Sequence, residues 1–177
     1  CFDEAELSRS TLIGASLSKT SFCNATLLGA NLSSVEGHGS VWIDANLSRA
    51  NLSGARLEEA NFHRADLRNV DSSSAYLRES DLSDAFLNGA NLGSAKLSGS
   101  DLSRASLVGT SLNSADLTLC SLQRSTMRRA DLRLTNFRGS MMRGACLTDS
   151  DLRSAKLNGV DLRDADLRRA DLRQVGL

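Results

Sequence analysis

The chain has 177 residues, with 21 lysines and arginines balanced by 21 aspartates and glutamates. It contains no apolar run long enough to span a bilayer and no signal-peptide pattern, so we expect a soluble protein, cytoplasmic or delivered to a host cell. Proline is absent, and glycine and serine fall in repeat phase rather than in runs. We therefore predict a single domain over residues 1–177 without a linker.

A five-residue period governs the whole chain. Every fifth position from Phe2 to Leu177 gives 36 residues, of which 27 are leucine and seven are phenylalanine, methionine or tryptophan. The position two residues earlier never holds a residue larger than valine. A helix would spread such leucines around its axis, and a long strand would alternate them between faces. We therefore predict that every pentad makes the same bend, with the small residue and the leucine pointing inward, and that the repeats build a solenoid.

The aromatic residues indicate how many pentads form one coil. Phe2, Phe22, Trp42 and Phe62 are spaced by twenty residues. This spacing predicts four pentads per coil, with the aromatic rings stacked in a column. A chain of 177 residues then makes about nine coils.

The segments A-N-L-S-R-A-N-L-S-G-A at 45–55 and A-D-L-R-R-A-D-L-R at 165–173 resemble the pentapeptide-repeat family, whose motif is A-(D/N)-L-X-X. The resemblance covers the whole chain. It implies an all-β fold, a right-handed, four-sided β-helix with four repeats per coil. The functions of the family are diverse, so the resemblance by itself assigns none.

The chain begins directly in repeat phase at Cys1, which favours a piece of a longer protein over a mature lipoprotein with a lipidated first residue. The first interruption covers residues 35–44, where Gly37 occupies a leucine position. One interpretation is that the missing side chain makes room for Trp42. The other is a displaced loop with His38 at its tip. Val41 and Ile43 are predicted to point outward, and with His38 they form a secondary candidate binding site.

The second interruption covers residues 71–74, where Ser72 replaces a core leucine. A buried hydroxyl requires a hydrogen-bond partner, and a lost leucine side chain leaves a cavity. We expect a local bulge at this point. A kink with a functional role is the alternative.

The two parts of the chain differ in charge. Residues 1–120 have a net charge of −5, and residues 121–177 have a net charge of +5. In the twenty-residue register, arginines of the second part stack in two columns, one beside a column of aspartates. One interpretation is a ladder in which acids and arginines neutralise one another. The other is a partner-binding face for an acidic protein, phosphate groups or a membrane surface. The candidate residues of that face are Arg133, Arg153, Arg173, Arg143 and Arg163.

The sequence contains no catalytic, cofactor-binding or metal-binding motif, so we expect no enzyme, no cofactor and no metal. His38 and His63 lie in no recognisable motif. Cys23 and His63 share a column but lie two coils apart, about 10 Å, which is too far for one zinc ion. The four cysteines occupy four different register positions, which predicts no disulfide, with Cys120 as an inert core thiol.

These features favour a non-catalytic protein–protein interaction module or rigid scaffold. Similar domains occur in bacterial effector proteins, so the chain is interpreted as the repeat domain of a larger protein. The alternative is a DNA-mimicking inhibitor or protector of DNA gyrase or topoisomerase, as in the quinolone-resistance branch of the family. The positive charge of the last third argues against such a mimic. Nucleic-acid binding is disfavoured because aspartates offset the arginine columns.

The ends of the solenoid carry one more prediction. Leu172 and Leu177 end the core column at an open coil edge. Open edges invite association. We expect either end-to-end contact between chains or a capping segment outside this sequence.

Overall fold

The computed structural model describes all 177 residues, Cys1–Leu177, as an all-β solenoid. The backbone forms neither helices nor strands longer than one residue. Instead, each pentad contributes one residue to a parallel β-bridge, and the bridges run from Glu6–Thr26 to Lys156–Gly176. Every bridge joins residues twenty apart. This offset equals the spacing of the aromatic residues Phe2, Phe22, Trp42 and Phe62.

No helix in the structure has the length and apolarity needed to cross a membrane.

Every pentad ends in the same tight turn. The N–H of the small residue donates to the carbonyl of the inward residue three positions earlier, as from Ala5 to Phe2 at 3.1 Å. The residue before the small residue has a φ between 55° and 74° in all 35 turns. One positive φ at the third turn position is typical of type II β-turns. Glycine occupies ten of these positions and other residues occupy 25, so the coil imposes a conformation that costs a non-glycine residue about 1–2 kcal/mol.

Hydrogen bonds between successive coils hold these turns in place. The inward Leu7 donates its N–H to Thr26 O at 2.7 Å, and the turn residue Arg9 donates to Leu28 O at 2.9 Å. In the opposite direction, Thr26 N donates to Ala5 O at 2.9 Å. The same pattern recurs along the rod, which explains why the five-residue phase is unbroken.

The small residues and leucines fill the centre of the rod. They form one cluster of 46 buried apolar residues, and each buried leucine stabilises the fold by about 1.5–3 kcal/mol. The predicted aromatic column is present: ring centroids of Phe2 and Phe22 are 5.2 Å apart, those of Phe22 and Trp42 4.1 Å, and those of Trp42 and Phe62 5.9 Å. Cys120 is fully buried in this core, and all four cysteines are free.

Serine and threonine are tolerated at the small inward position because backbone carbonyls accept their hydroxyl hydrogens. Ser80 Oγ donates to Leu77 O three residues earlier at 2.7 Å, and Thr110 Oγ1 donates to Leu87 O in the preceding coil at 2.7 Å. Ser10 Oγ is the one buried side-chain oxygen without a partner. The inward polar groups are therefore compatible with a dry core.

Residues 35–44 form a regular part of the solenoid and not a displaced loop. Gly37 N donates to Arg56 O at 2.7 Å, as in every other coil. The Trp42 indole N–H donates to Ser40 Oγ at 2.7 Å, and Ser40 Oγ donates to Gly37 O at 2.6 Å. A Cβ at position 37 would lie only 2.8 Å from Leu57 Cδ2 and 3.2 Å from Ser40 Oγ. Leu57 and Ser40 thus fill the space of the missing side chain, whereas the packing interpretation assigns that space to Trp42.

The bulge expected at Ser72 is absent. Asp71 bridges both Asn51 and Asn91, and Ser72 N donates to Asn91 O at 2.8 Å, so the regular pairing continues. Ser72 is buried, with 3% of its surface exposed. The expectation was wrong because coil-to-coil pairing uses only backbone atoms, and a smaller inward side chain does not disturb it.

The inward side chains of the first and last coils are less buried than the rest. Phe2 is 42% exposed, Leu172 38% and Leu177 86%. Association of chains through these ends stays a prediction.

Restoring the repeat leucine at position 37 should destabilise the protein. Gly37→Leu places a side chain where Leu57 and Ser40 already pack, and such overpacking costs about 1–3 kcal/mol. The free energy of unfolding from chemical denaturation measures the effect. Leu57→Ala removes the clashing methyl group, so Gly37→Leu should cost less in that background. A gain in stability for Gly37→Leu alone would contradict this account of the packing.

Candidate functional site

The residue before each inward leucine points outward, and aspartate or asparagine there fixes the next turn. Asn51 Oδ1 accepts the N–H of Ser53 at 2.9 Å, and Asp131 Oδ1 accepts the N–H of Arg133 at 3.2 Å. This contact of a short side chain with the backbone two residues later is an Asx-turn. The motif residue therefore shapes the turn and at the same time displays a polar group to solvent.

Where arginine follows the leucine, the same carboxylate also binds its guanidinium. In Asp131–Leu132–Arg133, Arg133 Nε donates to Asp131 Oδ1 at 2.8 Å and Nη2 donates to Oδ2 at 2.7 Å. The two-pronged geometry matches the planar guanidinium to the carboxylate. We call this pair a fork. All six Asp-Leu-Arg triplets form it, with arginines Arg68, Arg133, Arg153, Arg163, Arg168 and Arg173.

The predicted column of Arg133, Arg153 and Arg173 is therefore a column of forks. Each of the first two arginines also approaches the aspartate of the next coil: Arg133 Nε lies 3.7 Å from Asp151 Oδ2, and Arg153 Nε lies 3.6 Å from Asp171 Oδ2. The geometry is that of a neutralising ladder. Its side chains remain at the surface, with Arg133 45% exposed and Arg173 72% exposed.

The second predicted column contains two different pairings. Arg163 forms a fork with Asp161, whereas Arg143 follows a methionine and instead donates from Nε to Asp164 Oδ2, 21 residues later, at 2.9 Å. All five predicted arginines thus have an acidic partner. Their assignment to a binding face stays a prediction.

The forks change the acidity of their carboxyl groups. Hydrogen bonds from the Arg163 side chain and then from its backbone N–H lower the pKa of Asp161 to about 2. Those from Arg173 lower the pKa of Asp171 to about 2. A carboxylate that accepts several hydrogen bonds in its charged form resists protonation.

A second kind of ion pair joins successive coils at the left-handed turn position. Arg64 binds Asp44 through Nε at 2.8 Å, Arg104 binds Asp84 through Nε at 2.8 Å, and Arg169 binds Asp149 through Nε at 2.6 Å. In each pair the aspartate precedes the arginine by twenty residues. The twenty-residue register therefore determines which charged residues of the turns form ion pairs.

Three arginines in one coil form neither an ion pair nor a side-chain hydrogen bond, and the sequence analysis did not single them out. Arg124, Arg128 and Arg129 are exposed, while the ion pairs of the C-terminal third involve other arginines. Position 109, twenty residues before Arg129, is glycine, and Arg124 is preceded by Arg104. Reading the charges column by column would have found them.

Arg124 lines a polar surface depression of about 580 Å³. Arg104, Arg143 and Gly144 lie on its other walls. A Cβ at position 144 would lie 3.5 Å from Arg124 Cγ, so the missing side chain of Gly144 keeps this space open.

The secondary candidate site is less exposed than expected. His38 is exposed, and its Nε2 lies 3.7 Å from Glu59 Oε2. Val41 and Ile43 are half-buried. They expose less apolar surface than two outward-pointing side chains, as predicted from the sequence, would expose.

The structure brings together His63, Ser83 and Asp84, which the sequence analysis did not connect. His63 Nδ1 lies 2.8 Å from Ser83 Oγ and 4.0 Å from Asp84 Oδ2. Both oxygens face the same ring nitrogen, whereas a nucleophile and an orienting carboxylate require opposite nitrogens. Asp84 is in addition bound to Arg104.

Burial raises the pKa of the Cys120 thiol to about 12. Its Sγ donates to Leu97 O at 3.0 Å. A thiol of this kind is protonated at neutral pH and unreactive, as predicted for this core residue.

The forks predict a loss of stability in acid. Aspartate titrates near pH ~3.9 in an unfolded chain, and the folded pKa of Asp161 and Asp171 is lower, about 2. The forks therefore stabilise the fold above about pH 4, and this contribution disappears as the pH falls through about 2. Thermal unfolding followed against pH should show this fall. In the variant Arg163→Gln with Arg173→Gln, carboxyl NMR titration should give both aspartates a higher pKa. An unchanged titration would contradict the fork as its cause.

The comparison with protein families gave one match. The model of the pentapeptide repeats matches residues 1–35, 45–84, 85–124, 115–153 and 145–175, with eight copies. Among curated proteins, none matches the chain.

Solved structures of similar proteins agree with this assignment. HetL, a pentapeptide repeat protein involved in heterocyst differentiation regulation from the cyanobacterium Nostoc sp. strain PCC 7120, is 30% identical over 100% of this chain and 89% of its own, with a TM-score of 0.57. A trypsin-treated variant of QnrB1, a plasmid-mediated fluoroquinolone resistance protein, is 26% identical over 96% of this chain and 85% of its own, with a TM-score of 0.67. Rfr23, a pentapeptide repeat protein from the cyanobacterium Cyanothece 51142, is 26% identical over 71% of this chain and 86% of its own, with a TM-score of 0.51. The chain therefore belongs to the pentapeptide-repeat family.

Proposed function

We propose that this protein is a non-catalytic interaction module, a rigid rod that presents fixed side chains to a protein partner. The observation that carries the proposal is the fixed placement of its outward groups. Each Asp-Leu-Arg fork holds a guanidinium against the aspartate two residues earlier, and the coils repeat these groups in columns. Side chains that are ordered before binding lose less entropy when a partner binds.

The finer geometry forms part of this proposal: a right-handed, four-sided β-helix of about nine coils in one domain. Bridges between residues twenty apart support four sides per coil. A rod of nine coils at about 4.8 Å each is roughly 40 Å long. We also propose that the module is part of a larger bacterial protein, of the effector type.

The five predicted arginines remain the proposed partner-binding face, in two parts. The column of Arg133, Arg153 and Arg173 and the column of Arg143 and Arg163 are ten positions apart in the twenty-residue register, on opposite sides of the rod. A fork uses only Nε–H and one Nη2–H, so three of the five N–H groups of each forked guanidinium stay free to donate outward. Because the aspartates offset the charge, this face would recognise a partner by oriented hydrogen bonds rather than by net charge.

A pull-down from a lysate of the source organism tests the module. We expect the parent chain to capture a protein partner, and Arg133→Glu with Arg153→Glu and Arg173→Glu to lose it if the partner binds the predicted face. The control Arg9→Glu with Arg49→Glu and Arg78→Glu changes the charge equally on the other part of the rod. Circular dichroism verifies that every variant is folded. A parent chain that captures nothing would contradict the module.

A DNA-mimicking inhibitor or protector of gyrase or topoisomerase is the second candidate. Its support is the similarity to QnrB1, a fluoroquinolone resistance protein, and the net charge of −5 over residues 1–120. A DNA supercoiling assay with gyrase tests this second candidate function. Inhibition, or protection from a fluoroquinolone, would favour this candidate, and an unchanged rate at excess protein would exclude an effect on gyrase.

A further inference from the structure

The positive charge of the C-terminal third is concentrated in one coil. Residues 121–140 contain five arginines and one aspartate, a net charge of +4. The coil before it, residues 101–120, has a net charge of −1, and the coil after it, residues 141–160, has +1. The excess of positive charge is therefore confined to this coil and does not extend along the rod.

Two of the five arginines in this coil have partners. Arg133 forms a fork with Asp131, and Arg138 Nε donates to Asn158 Oδ1 at 3.1 Å. The other three, Arg124, Arg128 and Arg129, have no side-chain partner. Together with Arg138, whose asparagine partner is neutral, they account for the net charge of +4.

The three unpaired arginines flank a single side of the coil. Arg124 lies in the turn before residues 125–127, and Arg128 and Arg129 form the turn after them. We call the surface between these turns the Thr126 side. Arg128 follows Arg124 by four positions, so their Cα atoms are at most about 14 Å apart. Charged side chains at this separation can contact one short segment of a partner.

The floor of the Thr126 side consists of small polar residues. Thr126 bridges Ser106 in the preceding coil and Cys146 in the following coil. All three are half-buried, whereas the arginines of the two flanking turns, which we call the walls, are exposed. A chain in extended conformation fits against such a floor with its side chains directed at both walls.

The nearest carboxylate on this side does not neutralise the three arginines. The charges of Arg129 and Arg128 contribute to lowering the pKa of Asp149, but hydrogen bonds from Arg169 are the first cause. Both oxygens of Asp149 accept from Arg169, at 2.6 and 2.9 Å. In the column of turns before Thr126, Arg143 donates to Asp164, and Arg124 lines a depression on the preceding side of the coil, which Asp101, Asp164 and Ser121 also line.

From this arrangement we propose that the Thr126 side binds an acidic segment of a protein partner, with carboxylates held by Arg124, Arg128 and Arg129. The proposal rests on the proposed module and names the chemistry of its partner. Carboxylates at positions i and i+4 of an extended segment are about 13 Å apart, which matches the two walls. A nucleic acid fits less well because its phosphates continue past this coil onto neighbouring turns that display aspartates.

Fluorescence anisotropy with a labelled ten-residue peptide of alternating glutamate and serine tests the proposal. The parent chain should bind it, and the same peptide with glutamine in place of glutamate should not bind. Arg124→Gln with Arg128→Gln and Arg129→Gln should weaken binding by about tenfold or more, since charge-assisted hydrogen bonds are lost. Arg9→Gln with Arg49→Gln and Arg78→Gln removes the same charge from exposed positions elsewhere on the rod and should weaken it by less than about threefold, because charges beyond a Debye length are screened. Equal losses in both variants would overturn the proposal.

A second pair of variants keeps every arginine. Gly109→Asp places a carboxylate twenty residues before Arg129, the offset of Asp84 and Arg104, and should weaken peptide binding by pairing that arginine. Gly14→Asp is the matched control, because both glycines have the same left-handed φ and nothing within 4 Å of an added Cβ. Aspartate occurs at this turn position in Asp44, Asp84, Asp149 and Asp164, so the fold accepts it. Equal binding by the two variants would contradict the assignment of Arg129.

The remaining outcomes separate this inference from the module itself. Tighter binding of a labelled ten-nucleotide oligothymidylate than of the acidic peptide, at equal salt, would overturn the inference in favour of a nucleic acid. A protein captured in the pull-down and retained by the Arg124, Arg128 and Arg129 variant would overturn the inference and leave the module standing. Circular dichroism and the thermal midpoint confirm that all variants are folded.

Discussion

The parallel pairing of one residue in each pentad with the residue twenty positions later, as in Glu6 and Thr26, is the constraint on which the rest of the structure depends. It involves only backbone atoms, as in Leu7 N to Thr26 O and Thr26 N to Ala5 O. Pairing of this kind leaves no freedom of register, since a shift by one residue would carry leucines outward and charged residues inward. It also holds non-glycine residues such as Arg129 in the left-handed conformation that every turn requires.

One consequence is that side chains meet their neighbours in columns. In the core, side chains of the same kind therefore stack on one another, and the ring centroids of Phe22 and Trp42 are 4.1 Å apart. At the surface it places charges on top of one another, and the outcome depends on their order. Aspartate followed by arginine twenty residues later gives a tight pair, as with Asp84 and Arg104. Glycine at position 109 leaves Arg129 without this pair.

This dependence on columns separates two kinds of arginine. A forked arginine such as Arg133 is ordered but balanced by Asp131 two residues earlier. An arginine such as Arg128, with no acid in its own turn or column position, has a charge that no side chain balances. The net charge of +5 over residues 121–177 therefore describes the distribution of charge along the rod poorly. Most of it comes from one coil.

The sequence by itself determined the period, the inward positions, the aromatic column and the core role of Cys120, because these follow from side-chain size repeated at a fixed spacing. A fork joins residues two positions apart, such as Asp131 and Arg133, so the sequence also contains the information needed to predict it. Tertiary structure decided what depends on adjacent coils. It showed that Leu57 and Ser40 fill the space at Gly37, that Ser72 causes no bulge, and that Arg124, Arg128 and Arg129 are unpaired. The physical reason is that these outcomes depend on which side chains stand one coil above and below, which a five-residue pattern does not specify.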